Sequence, residues 1–268
     1  MNMQSPSSSP KVLAEIDNGI GWITFNNPQR HNAMALEMWQ ALAALLKQFS
    51  QDASIRIVIL KGAGDKAFVS GADISEFEKK RSSQQQRDAY EHAFDQAQSC
   101  LAEFEKPVVA MIQGYCIGGG LALALNTDIR IATEDSVFGI PAAKLGLGYG
   151  YAAVKMLTSI VGPSHAKDIL FSARFLDADA ALRIGLVNFV VSREQLLQQV
   201  LEYAGTLVAN APLTLKASKA AVSEVVRDPG QVSPEYVGKL VNDCFLSDDY
   251  KAGREAFMAK RKPVFKGS

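Results

Sequence analysis

The chain runs to 268 residues, 48% hydrophobic and 21% charged, which is the make-up of a globular protein able to bury one large core or two coupled ones. Its 28 basic and 28 acidic residues cancel, so no basic excess marks a partner of nucleic acid or of an anionic membrane. Cys100, Cys116 and Cys244 lie far apart with no CxxC pair, which argues against a disulfide framework or a zinc knuckle, and no window reaches the ~18 apolar residues of a membrane span.

Residues 1–10, rich in Ser and Pro, have neither the charged start nor the apolar run of a signal peptide and read as a disordered tail, so a cytoplasmic protein is expected. Val12 to Ile16, Asp17-Asn18-Gly19 and Trp22 to Phe25 predict a hairpin around an Asn-Gly turn. Met34, Met38, Leu42, Leu45 and Phe49 recur at helical steps, with Asn32 placed to cap them. Ile55 to Leu60 reads as a buried strand. Tyr90, Phe94, Ala97, Leu101 and Phe104 predict a helix that Lys106-Pro107 ends, followed by a buried strand over Val108 to Ile112 and a helix over Leu121 to Asn126. Further strands are expected over Asp128 to Ala132 and Leu186 to Val191, then only helices: Leu196 to Leu207, Leu213 to Val226 and Pro234 to Lys260. The fold class is α/β, with a strand-and-helix core over residues 11–192 and a helical region over 193–268.

Two segments share one chemical logic. The strand IRIVIL leads through a glycine loop to Phe68-Val69-Ser70-Gly71-Ala72-Asp73-Ile74, and VVAMI leads to Gln113-Gly114-Tyr115-Cys116-Ile117-Gly118-Gly119-Gly120 and a helix start. Such turns leave backbone N–H groups without partners, and one from each segment aimed at one point makes a two-donor oxyanion hole. Glycine lets a substrate oxygen approach the main chain with no Cβ in the way. Gly62-Ala63-Gly64-Asp65-Lys66-Ala67 superficially fits the dinucleotide pattern GxGxxA, but Phe-Val-Ser-Gly after it does not read as the helix that pattern must open. No GxxxxGK[ST] and no GxSxG occurs.

Taken in order, PQRHNAM (28–34), AFVSGADI (67–74), KPVVAMIQGYCIGGGLALALNTDIRIAT (106–133), FGIPAAKLGL (138–147), GLV (185–187) and EAFMAKRKPVF (255–265) resemble the enoyl-CoA hydratase/isomerase (crotonase) superfamily. The resemblance implies a crotonase-like spiral of ββα units with a C-terminal helical oligomerisation region, assembled as a homotrimer or homohexamer. It implies an acyl-CoA or enoyl-CoA thioester substrate, with no metal and no cofactor beyond the coenzyme A of the substrate itself. The enolate-stabilising donors would be the amides of Ala72 and Gly119. Gly71, Asp73, Ile74, Ser75, Tyr115, Gly118 and Ala142 would line the substrate channel. Gln29, Arg30 and Ala33 would meet the CoA nucleotide, and Phe257 and Lys260 would reach the adenine end from a neighbouring subunit.

The chain departs from the family pattern at one decisive place. Hydratases of this family carry two glutamates that position water and exchange protons, and the matching positions here are Ala122 and Ala142. Glu134 and Asp135 lie too far upstream to replace them by motif, and Glu76 and Glu78 fall beyond the GAD turn on an expected solvated face. A positioned general acid or base is worth roughly 10²–10⁴-fold, so hydration should be slowed severely while thioester binding survives. Tyr149 aligns with a tyrosine of the family's methylmalonyl-CoA decarboxylases, although these carry His where this chain has Ala72. Tyr151 would join it at the edge of an acyl pocket. His92 matches a helix used by aromatic-CoA dehalogenases but reads more simply as structural, as do His31 and His165. Lys144 reads as a surface lysine, and Cys116 as a packing residue. The alternatives left open are a decarboxylase using Tyr149 and a non-catalytic acyl-CoA binder.

Overall fold

The computed structural model describes residues 10–73 and 84–268. The Asn-Gly signal produces the expected hairpin, β1 (Val12–Asp17) against β2 (Ile20–Phe25), with Asn18 and Gly19 at φ of 49° and 82°. Helix α1 (Leu36–Gln51) buries Met38, Trp39, Leu42, Leu46 and Phe49 along the predicted stripe. Its cap is not Asn32. Ala35 holds the cap position without a side-chain bond, and Asn32 is spent elsewhere.

Three successive units then repeat one plan. They are β3 (Ile57–Gly62), β4 (Ala67–Val69) and α2 (Gln84–Ala102); β5 (Val108–Ile112), β6 (Tyr115–Ile117) and α3 (Gly119–Leu125); and β7 (Ile129–Thr133) and β8 (Val137–Gly139) with α4 (Tyr151–Ser172). The first strand of each unit joins a six-stranded sheet and the second a smaller one, so the chain winds through two sheets as a spiral of ββα turns. After α4 come β9 (Leu176–Asp177), α5 (Ala178–Arg183), β10 (Phe189–Val191), α6 (Leu196–Ala209), α7 (Pro212–Val225), α8 (Pro234–Leu246) and α9 (Asp248–Met258). The larger sheet runs β1-β2-β3-β5-β7-β10 and the smaller β4-β6-β8-β9.

The unbroken apolar run of β3 has a direct cause: both faces of its sheet are covered. Val58 and Leu60 enter the main core with α1 and α2, while Ile57 and Ile59 pack with Trp22 and Val109 against Leu196, Val200 and Ala204 of α6. The rejected dinucleotide pattern opens no helix, since Gly62 to Ala67 connects β3 to β4.

Several expectations need correction in detail. The strand expected from Leu186 begins at Phe189, because Leu186 and Val187 turn into the core first. The helix expected over Pro234 to Lys260 is two helices, split where Ser247 accepts the Tyr250 N–H at 3.0 Å and caps α9. Strands β4, β6, β8 and β9 and helix α4, itself broken at Gly162 (φ 77°), were not legible in the sequence pattern. Among the described residues, no helix is long and apolar enough to cross a membrane.

Candidate active site

The small sheet builds the site. Strands β4, β6 and β8 run parallel, so their C-terminal ends present three turns side by side: Gly71-Ala72, Gly118-Gly119 and Ile140 to Ala142. The first two turn at glycines with φ of 117° and 55°, conformations that L side chains avoid. They also touch. A Cβ on Gly118 would lie 4.0 Å from the Gly71 Cα, and one on Gly71 would lie 3.5 Å from the Ile117 carbonyl oxygen.

Hydrogen bonding decides which amides stay free. Met34 pairs with Ala72 as an isolated parallel bridge, its N–H donating to Gly71 O at 2.8 Å and its carbonyl accepting from Asp73 N–H at 3.0 Å. A parallel bridge of this form uses the groups before and after residue 72, so the Ala72 N–H faces the opposite side, where β6 and Gly118 lie. Gly119 is the first residue of α3, and its N–H has no intrahelical acceptor. The Gly118 N–H is already used, donating to Gly139 O at 2.8 Å, which ties the β6 turn to the end of β8.

Close packing holds the second turn in place. A Cβ on Gly120 would fall 2.0 Å from Val69 O of β4. Gly120→Ala must therefore push α3 off the small sheet, and a loss of about 3 kcal/mol or more in the denaturant unfolding free energy is expected, against no loss for Gly148→Ala, where a Cβ meets nothing within 4 Å.

Ala122 and Ala142, 5% and 7% exposed, are buried at this end of the sheet, on α3 and in the 3-10 turn after β8. Tyr149 is half-buried against the main core, and that burial pushes its phenol above the ordinary range; no hydrogen bond reaches its hydroxyl among the described residues. Tyr151, by contrast, is 74% exposed, so the two rings do not sit alike. Cys116 is fully buried in the core, its thiol driven far above the usual range by desolvation. Asp135 is engaged by Arg193, which also binds the Asp65 carbonyl at 2.9 Å. His92 and His165 are exposed, and Lys144 lies 5.6 Å from the Phe175 ring centre.

The loop over residues 28–33 is pinned by Asn32, which is fully buried with φ of 56°. Its amide donates to Ala63 O and Ala67 O at 2.9 and 2.8 Å, and its oxygen accepts the Asn27 N–H at 3.0 Å. This is the use that replaces capping. Ala33 is buried behind the loop, while Gln29 and Arg30 are exposed on it. Gln29, His31 and Lys66 line a cavity of about 330 Å³, and His31, Lys66 and Tyr115 an adjoining one of about 460 Å³. A larger cavity of about 570 Å³ lies beside Leu13, Glu15, Lys61 and Gln113, and none of the three is lined by residues of either glycine turn. Ile74, Ser75, Glu76 and Glu78 lie outside the described residues. Phe257 is 83% exposed on α9 and Lys260 is exposed just after it; among the described residues, no hydrogen bond joins either to the glycine turns. Met34, expected at the head of the helical stripe, lies before α1 and pairs with Ala72 instead, a main-chain role that carries no residue-type signal.

Two parallel strand ends whose Ala72 and Gly119 amides have no acceptor among the described residues, in a two-sheet ββα spiral, form the candidate site, and comparison with known proteins gives the family. The enoyl-CoA hydratase/isomerase family model matches residues 15–268. A short-chain-enoyl-CoA hydratase of Clostridium acetobutylicum is 34% identical over 251 residues, covering 94% of this chain and 95% of that protein. A crotonyl-CoA hydratase of Syntrophomonas wolfei is 34% identical over 255 residues, 95% of this chain and 97% of its own. A crystal structure of an enoyl-CoA hydratase/carnithine racemase from Magnetospirillum magneticum superposes with a TM-score of 0.90 at 38% identity, covering 97% of each chain. The chain belongs to the enoyl-CoA hydratase/isomerase (crotonase) family.

Proposed function

We propose that this protein is an enzyme that binds an acyl-CoA or enoyl-CoA thioester and stabilises its enolate with the amides of Ala72 and Gly119. The observation that supports the reading is the side-by-side placing of the Gly71 and Gly118 turns, with the Ala72 and Gly119 N–H groups that follow them engaged by no hydrogen bond among the described residues. Fixed donors of this kind act where charge develops in the transition state, each worth about 3–4 kcal/mol. The names of the relatives, both hydratases of short enoyl thioesters, agree with the substrate class. The CoA nucleotide would lie along Gln29, Arg30 and Ala33, with coenzyme A entering as substrate rather than as a resident cofactor.

A second reading within this chemistry is favoured by specific residues. Ala122 and Ala142 stand where the resemblance puts carboxylates, and both are buried methyl groups. A carboxylated thioester needs no carboxylate base. Its Cα–carboxyl bond breaks, carbon dioxide leaves, and the bonding electron pair passes into the enolate held by the two amides. The Tyr149 hydroxyl then gives its proton to Cα and recovers one from solvent. Incubation of the protein with crotonyl-CoA and, separately, with methylmalonyl-CoA, followed by mass spectrometry, tests both. Loss of carbon dioxide identifies the decarboxylase, and gain of water the hydratase. Binding of the thioesters without product would overturn the enzyme reading in favour of a non-catalytic binder.

The C-terminal helices leave Val225, Leu246, Phe257 and Met258 each more than 70% exposed. Apolar surface of this kind is covered in most soluble proteins, and we assign it to contacts between copies of the chain in a trimer or hexamer.

A further inference from the structure

We infer that Trp39 and Tyr90 are positioning residues that hold the two oxyanion amides at one fixed separation. This rests on the reading of Ala72 and Gly119 as the donors. Trp39 is fully buried on α1, and its indole N–H donates to the Tyr90 hydroxyl of α2 at 2.9 Å. That hydroxyl donates in turn to the Met34 carbonyl at 3.2 Å. The same carbonyl accepts the Asp73 N–H at 3.0 Å, while the Met34 N–H holds Gly71 O at 2.8 Å, so the two hydrogen bonds on either side of Ala72 both end on Met34.

The same indole reaches the other turn directly. Its Cζ2 atom lies 3.7 Å from the place a Gly119 Cβ would occupy, and the Phe94 ring stands edge-on to it at 5.0 Å and limits its tilt. One side chain thus bears on both donor segments: on Ala72 through two hydrogen bonds and a carbonyl, and on Gly119 by standing 3.7 Å from the place its Cβ would take. A buried indole in an ordinary core needs only some acceptor for its N–H. Here the acceptor relays onto the one main-chain carbonyl that fixes Ala72. Oxyanion stabilisation depends steeply on donor placement, since the donors must lie at hydrogen-bond distance from the developing oxyanion, so a small shift in either amide should show in the bound carbonyl.

The test reads the carbonyl itself. Crotonyl-CoA labelled with ¹³C at the thioester carbonyl is bound to the full-length wild type, Tyr90→Phe and Trp39→Phe proteins, and the carbonyl stretch is recorded by difference infrared spectroscopy beside a titration of affinity. In the wild type the band moves to lower frequency than for the free thioester. Tyr90→Phe, which removes a single oxygen, loses roughly half of that displacement with little change in affinity, because loss of polarisation is separable from loss of binding. Trp39→Phe, which removes both the N–H and the ring that stands beside Gly119, loses more. Full wild-type displacement in both variants would overturn the positioning role while leaving the oxyanion hole standing. A wild-type band that does not move on binding would remove the oxyanion reading itself, and this inference with it.

Discussion

Replacing Gly119 by proline is expected to lower turnover of the thioester substrate by roughly 10²–10³-fold, while Gly119→Ala stays close to wild type. Proline replaces the amide hydrogen with its ring Cδ, so the donor is lost and a carbon stands where the hydrogen pointed. Position 119 is the first residue of α3, where proline is well tolerated because that N–H has no helical partner and the ring presets the helical φ. Residue 119 itself has no positive φ, and an added Cβ meets nothing nearer than the Trp39 ring at 3.7 Å, ordinary contact distance. Alanine therefore fits and keeps the N–H. The pair separates the donor from the glycine: both variants carry a side chain, and only one lacks the hydrogen. Steady-state kinetics on the substrate found by mass spectrometry, with thermal melting of both proteins as control, checks it. Equal turnover in proline and alanine variants would mean that the Gly119 amide stabilises nothing.

What could be read from the chain divides along a physical line. Long periodic segments were legible because burial on one face or two imposes a pattern on side chains: α1 shows its stripe, and β3 and β5 show unbroken apolar runs because helices or a second sheet cover each side. The Asn18-Gly19 turn was legible because few residues accept its backbone angles. The small sheet was not. Its strands β4, β6 and β8 are three residues long, too short for alternation to register, and they are flanked by glycines that read as loop.

The site lies on that sheet, so the sequence pointed to it through its turns rather than its strands. Gly71 and Gly118 could be singled out by residue type, and the structure brings them into contact. Asn32 was singled out for the wrong duty. An Asn a few residues before a helical stripe suggests a cap, yet a side chain with two donors and an acceptor can equally bridge three main-chain groups, and only the fold shows that Ala63 and Ala67 come within reach. The Trp39–Tyr90 link was invisible for a different reason. The two residues lie 51 positions apart on separate helices; Tyr90 already fitted its apolar stripe, and Trp39 was not singled out at all.

Tyr149→Phe is expected to cost roughly 10²–10⁴-fold in turnover with little change in thioester affinity or melting temperature. The stability half follows from the site: the phenol is half-buried and no hydrogen bond reaches its oxygen among the described residues, so deleting the oxygen leaves no partner unsatisfied. The catalytic half follows from its proton. Burial raises the phenol above its ordinary value of 10.0, so the group is neutral throughout the physiological range and, in the proposed role, would serve as a proton donor rather than a base. The sign of the pH dependence is therefore set. A rate limited by proton delivery from Tyr149 stays level from neutral pH up to the raised phenol pKa and falls only above it. A carboxylic acid in the same role would lose its proton, and the rate, several pH units lower, near its ordinary value of about 4 unless burial intervened. Folding stability carries the same signature: the neutral phenol favours the native state below the unfolded-state pKa, and that contribution drains away as pH rises through the folded one. Tyr149→Phe removes this alkaline loss along with the rate. A Phe variant with undiminished turnover, or a wild-type profile already falling between pH 5 and 7, would assign the proton to another group.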